Sequence, residues 1–168
     1  MRSSATPFGL SADETINILG MTPHPEGGHF VETYRSGDAF SLGLPASLAN
    51  RGEVTSIYFL LKAGERSHWH RVIGTEIWHH YLGDPLSLGI AKSDHDSPVY
   101  FKLGGELHLD QRPQAVVPSG AWQAAECLAS SDNGFSLVGC TVSPGFTFSG
   151  FELAPPSWTP GPHNGVSS

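Results

Sequence analysis

The punctuation of this chain constrains its fold more than any other feature. Ten short runs rich in β-branched and aromatic residues lie at 29–34, 54–62, 66–71, 75–82, 86–92, 99–103, 115–117, 121–128, 135–142 and 148–153. Turn-forming residues separate them, among them Ala63-Gly64, Gly83-Asp84-Pro85, Gly104-Gly105, Pro118-Ser119-Gly120 and Pro144-Gly145. Short runs at this spacing describe an all-β sandwich or barrel. The abundance of Gly (20) and Pro (13) in 168 residues points the same way.

One segment departs from this pattern. Ser11 followed three residues later by Glu14 is a capping box, and Gly20 can close a helix in the left-handed conformation. With Ile16, Ile18 and Leu19 between them, these residues predict a short helix over 12–19. Residues 37–52 read as a loop. The tail from Pro155 is rich in Pro, Gly and Ser and reads as extended or disordered over 156–168. The expectation is one domain spanning 1–168, with its core at about 12–155.

Charge and composition exclude several classes. The net charge is −7, and no basic run is present to neutralise phosphates, so nucleic acid is not an expected partner. No apolar run is long enough to span a membrane, and the N-terminus lacks the apolar core of a secretory signal, so a cytoplasmic protein is expected. Cys127 and Cys140 do not form a C-x-x-C pair. Two buried thiols or a disulfide both fit.

The chemistry concentrates in SHWHRVIGTEIWHHYLGDPL, residues 67–86. Strict alternation places His68, His70 and Val72 on one strand face and Glu76, Trp78 and His80 on a face of the next. A short loop through Gly74 allows a hairpin, so residues from both strands can converge on one cavity. The run Ile57–Leu61 is apolar on both faces and reads as a central strand buried on both sides. Gly27-Gly28 marks a special φ or a close backbone approach. The flanking Glu26 and Glu32 read as solvated, and His24 as a surface or loop residue.

Gly64, five residues, His70, one residue, Val72, three residues, Glu76, six residues and Gly83 reproduce the spacing of the first cupin motif. Pro118-Ser119-Gly120 followed by Gln123 keeps the frame of the second. With HPEGGHFVETYRS, TSIYFLLKAGERSHWHRV and LVGCTVSPGFTFSGFEL in order, the chain resembles a branch of small single-domain cupins. The resemblance implies an all-β double-stranded β-helix, the cupin jelly roll, with the short N-terminal helix added. It also implies a homodimer. In overall fold it is similar to sugar-nucleotide epimerases of the superfamily. The chain departs from the pattern at Val72 and Gln123, where the motifs normally carry His, and at His29 and Val31, where Tyr and Arg are expected.

Three readings of the site follow. Cupin metal sites use imidazole and carboxylate, so His70, Glu76, Gln123 and a compensating His68 could hold Fe, Mn, Ni or Zn. Without a metal, His70 and Glu76 form an acid–base pair, with Tyr58 (or Tyr34) as an acid. As a binding site, Phe59, Trp78 and Trp122 offer stacking surfaces, with Arg35, His80 and Gln123 as polar contacts. The leading expectation is an enzyme acting on a small polar or carbohydrate-like molecule. The alternative is a sugar-like small-molecule binder without catalysis.

Overall fold

The computed structural model describes residues 9–37 and 52–162. Most of the loop read at 37–52, His163 and the end of the tail lie outside them. The helix α1 spans Ala12–Leu19; Ser11 and Glu14 make the reciprocal capping bonds, and Gly20 closes the helix at φ 65°. Among the described residues eleven strands follow: β1 Thr22–Pro23, β2 His29–Arg35, β3 Thr55–Lys62, β4 Arg66–Val72, β5 Thr75–Gly83, β6 Leu86–Ala91, β7 Val99–Leu103, β8 Gln114–Val117, β9 Trp122–Cys127, β10 Phe135–Ser143 and β11 Phe151–Leu153. Among the described residues no helix is long and apolar enough to cross a membrane.

The strands form two antiparallel sheets, ordered β1-β2-β3-β10-β5-β8 and β11-β4-β9-β6-β7. From β3 to β6 the chain changes sheet at every connection, as a jelly roll requires. Among the described residues the sheets do not close into a barrel. Their edge strands do not form a continuous ladder, and an isolated bridge between Leu103 and Arg112 joins the region of β7 to the start of β8. Nor do β4 and β5 pair as a hairpin. They belong to opposite sheets, so His70 and Glu76 meet across the interior rather than side by side.

Three apolar layers hold the architecture. Phe59, Leu61, Trp78, Leu88, Val138 and Cys140 fill the space between the sheets. Leu60, on the opposite face of β3, packs with Ala12, Met21, Phe135 and Leu137 beneath α1. The helix therefore explains the double-sided apolarity of β3. A third layer, Trp69, Ala91, Trp122 and Ala154, lies outside the five-stranded sheet, with Trp158 packed on it. Here the tail is anchored rather than free up to Pro162. The Trp158 ring lies 4.4 Å from Trp122, and Gly161 N donates to Asp94 O at 3.0 Å. Cys127 and Cys140 are buried free thiols.

Candidate functional site

A cavity of about 360 Å³ opens between the sheets. Its apolar wall includes Phe30, Ile57, Phe59, Val72, Val142 and Phe146; His24, Glu26, His70, Glu76 and Cys140 supply titratable groups, and Glu32, Arg35, Thr55, Thr147 and Phe148 complete the lining.

The turn after β1 delivers Glu26. His24 N donates to Gly28 O at 2.9 Å and Gly27 N to His24 O at 3.0 Å. Gly27 adopts φ +112°, and a Cβ there would sit 2.1 Å from Arg66 O; at Gly28, φ +71°, it would sit 2.7 Å from Leu60 O. The turn is thus wedged against the backbones of β3 and β4, a space open only to glycine. This buries Glu26, read from sequence as solvated, to 9% exposure.

A bulge in β4 delivers His70. Ser67 lies opposite Ala125 on β9 and His70 opposite Gln123, so β4 carries one more residue than its partner over this stretch. The bulge turns both Ser67 and His70 inward, three residues apart. His68 leaves the cavity, and its Nε2 lies 2.9 Å from Pro155 O. It serves the site through its main chain instead. Its N–H donates to Glu26 O at 2.8 Å, and its carbonyl accepts from His70 Nδ1 at 2.7 Å.

Protons can be assigned from these contacts. A carbonyl only accepts, so His70 Nδ1 carries hydrogen and the neutral ring presents a lone pair at Nε2. That nitrogen lies 3.3 Å from Glu26 Oε2. His24 Nδ1 accepts the Glu26 backbone N–H at 3.3 Å and also lies 3.3 Å from Oε2. Two nitrogen lone pairs therefore converge on one carboxyl oxygen, an arrangement that calls for a proton on Oε2 or on one of the rings. Ser67 Oγ donates to the other oxygen, Oε1, at 2.9 Å.

The electrostatics agree with this geometry. Burial pushes the Glu26 carboxyl up to about 7, against the opposing pull of His24 and the Ser67 hydroxyl. Burial likewise lowers His70, with Glu76 opposing, and lowers His24, with Glu26 opposing. Glu76 is raised by burial, with His70 opposing. It accepts from the Gln123 amide, whose Oε1 in turn accepts Trp78 Nε1–H at 2.8 Å. Cys140 also bonds to Glu76, and burial holds its thiol well above its ordinary value.

Of the residues singled out from sequence, His70, Glu76, Phe59 and Arg35 line the cavity. Trp78 and Gln123 are fully buried beside it and hold Glu76 in place. Tyr58, adjacent to the inward Phe59, faces the helix layer and packs on Tyr81 at 6.0 Å. Trp122, adjacent to the inward Gln123, faces out; its Nε1 donates to Asp94 at 2.7 Å, and Arg71 lies 4.5 Å over its ring. Neighbours on a regular strand cannot share a face. His80 does not line the cavity; its Nε2 lies 3.0 Å from Asp84 O. The sequence does not single out His24, Glu26 or Cys140 as site residues, and His24, read as a surface or loop residue, has a buried side chain; the Gly27-Gly28 pair does mark the turn that carries Glu26.

The metal that cupin resemblance implies does not fit these residues. Val72 offers no donor. Gln123 spends its amide oxygen on Trp78 and its NH2 group on Glu76, and His68 points outward. Among the described residues no group of three His, Cys, Asp or Glu side chains is arranged to hold a metal ion.

Two facing antiparallel sheets around a His- and Glu-lined cavity define a cupin jelly roll. The family model for the cupin superfamily (DUF985) matches residues 13–154, and the chain belongs to that family. It is 40% identical to protein SO0799 from Shewanella oneidensis, whose crystal structure superposes with a TM-score of 0.75 over 86% of this chain and 85% of that one. A hypothetical protein from Leishmania major is 32% identical, with a TM-score of 0.74 over 86% and 88% of the two chains. The uncharacterized protein YML079W of Saccharomyces cerevisiae is 30% identical over 148 residues, covering 82% of this chain and 72% of its own.

Proposed function

We propose that this cupin is an enzyme that moves a proton on a small polar or carbohydrate-like molecule, with Glu26 and His70 as the exchanging pair. One observation carries the reading: Glu26 Oε2 lies 3.3 Å from His70 Nε2 in a buried cavity wall. A carboxyl raised to about 7 beside an imidazole that burial keeps neutral sets a proton-holding acid next to a base with a free lone pair. Such a pair suits abstraction next to a carbonyl and return of the proton from the same side, as an enolising isomerase requires. Ser67 and the His68 carbonyl hold the pair in register. Glu76, braced by Gln123 and Cys140, sets the charge behind His70.

The test is incubation with a panel of small carbonyl compounds, including aldose and ketose sugars, in deuterated water. Deuterium should enter the carbon next to the carbonyl. Glu26→Gln and His70→Asn should each slow that exchange by about 100-fold or more. A folded wild-type protein that exchanges nothing across the panel would refute the reading.

A second reading, capture without turnover, draws on the aromatic group around His24, where Phe30 lies 4.6 Å and Phe148 6.0 Å from its ring. A ligand that stabilises the fold and is recovered unlabelled would favour it.

A further inference from the structure

The charges lining the cavity bear on what can enter it. Glu26, Glu32 and Glu76 all contribute to the lining, and Arg35 stands among them near Phe146 and Phe148. The guanidinium of Arg35 is matched to a carboxylate of the same strand: Nε donates to Glu32 Oε1 at 2.9 Å and Nη2 to Glu32 Oε2 at 2.6 Å. Nη1 donates to the Phe146 carbonyl at 3.1 Å. This two-pronged pairing balances the cation in place and fixes its planar fork. Deeper in, His24 and His70 lose their charged forms to burial. An anionic head group would meet carboxyl groups at Glu26 and Glu76, and at Arg35 it would compete with Glu32. Burial also favours the uncharged forms of the Glu26 and Glu76 carboxyls, so the deep cavity offers an anion no opposite charge to offset its lost hydration.

Size and surface narrow the class further. About 360 Å³ lies at the small end of ligand cavities. The apolar stretch through Phe30, Ile57, Phe59 and Val142 suits the face of one ring. The Glu26 and His70 side chains suit one polar group at the end of that ring.

We propose that the cavity selects an uncharged, ring-sized ligand with one polar end, such as a cyclic or ring-bearing carbonyl compound, and turns away anions, including phosphorylated and nucleotide-linked sugars. This rests on the reading of the cavity as a ligand site. It makes the Glu32–Arg35 pair a specificity determinant: Glu32 balances the cation that an anionic substrate would use.

The experiment compares two probes of nearly equal shape, acetophenone and benzoate, by saturation-transfer and titration NMR with the intact chain at neutral pH. Acetophenone should bind at least about tenfold more tightly than benzoate. Removing one carboxylate with Glu32→Gln should improve benzoate at least threefold and leave acetophenone within threefold. Arg35→Met, a second variant that spares Glu32, should leave acetophenone binding within threefold and give benzoate no gain. Equal or tighter binding of benzoate to the wild type, abolished by Arg35→Met, would overturn the proposal and make Arg35 an anion hook. Binding of neither probe to the folded protein would overturn it too. The readout is binding alone, so its failure is distinct from a failure of deuterium exchange at Glu26 and His70.

Discussion

The carbonyl oxygen of His68 lies 2.7 Å from Nδ1 of His70, two residues along the same bulged strand. This contact decides which nitrogen of His70 is the base. With hydrogen held at Nδ1, Nε2 is left to face Glu26, and the tautomer follows from the backbone rather than from another side chain. His68→Ala keeps that carbonyl and should therefore leave proton exchange within about twofold. Its loss of the contact to Pro155 should cost no more than about 1 kcal/mol in denaturant unfolding. A large loss of activity in His68→Ala would mean that the imidazole itself works in the site.

The Glu26 carboxyl gives stability a defined dependence on pH. Its ordinary value is 4.5 and its folded value is about 7. Between those values the folded state holds a proton that the unfolded state has released. The Glu26 contribution is therefore complete below about pH 4.5 and is lost as pH rises through about 7, by on the order of 3 kcal/mol in total. Glu26→Gln removes this titration. The difference in unfolding free energy between variant and wild type, followed from pH 4.5 to 8, should shift in favour of the variant as pH rises and then level off. A difference that stays flat across the window would show that Glu26 ionises normally.

Metal removal should change nothing. Gln123 has committed both ends of its amide and Val72 is apolar, so the two motif positions that depart from the cupin pattern offer no ligand. Dialysis against EDTA, or addition of manganese, nickel or zinc, should move the melting temperature by less than about 1 °C. Near-stoichiometric metal in protein purified without chelator, lost in His70→Ala, would contradict this.

The fold was legible because it follows from local rules. The capping box at Ser11 and Glu14 places α1, and turn residues separate most of the strands close to their observed limits. The cupin spacing from Gly64 to Gly83 places His70 and Glu76 in the interior. The site was legible only in part, because alternation assumes a regular strand. The bulge between Ser67 and His70 breaks that assumption and sends His68 outward. On regular strands the same rule forbids using neighbours together, so Tyr58 cannot join Phe59, nor Trp122 join Gln123. Glu26 was hidden for a different reason. Its burial depends on packing between the Gly27-Gly28 turn and Leu60 and Arg66 on β3 and β4, a long-range contact that no local pattern records.

Trp78, Gln123 and Glu76 form a buried chain in which each group satisfies the next. Gln123→Met keeps the size of the side chain but leaves Trp78 Nε1–H without its acceptor and Glu76 without its amide donor. The cost should be at least about 2 kcal/mol, because unsatisfied buried groups forfeit their hydration without compensation. Thermal and denaturant unfolding would measure it. The same change removes a bond that favours the ionised Glu76, so Glu76 should rise further and support His70 less. Exchange should weaken even in the fraction that remains folded.

The glycine turn offers the sharpest separation of architecture from chemistry. An alanine at Gly27 must adopt φ near +112° and place its Cβ 2.1 Å from the carbonyl oxygen of Arg66. Relief requires the turn to lift from β4, and Glu26 would move with it. Gly27→Ala should therefore destabilise the protein by about 2 kcal/mol or more. It should also suppress proton exchange as strongly as Glu26→Gln, although it removes no functional group. Gly64 supplies the control, because it has a positive φ of 76° but open space around its Cβ position. Gly64→Ala should cost only the backbone strain, about 1 kcal/mol, and leave exchange intact. If Gly27→Ala lost stability but kept full exchange, Glu26 would not need the position in which the turn holds it.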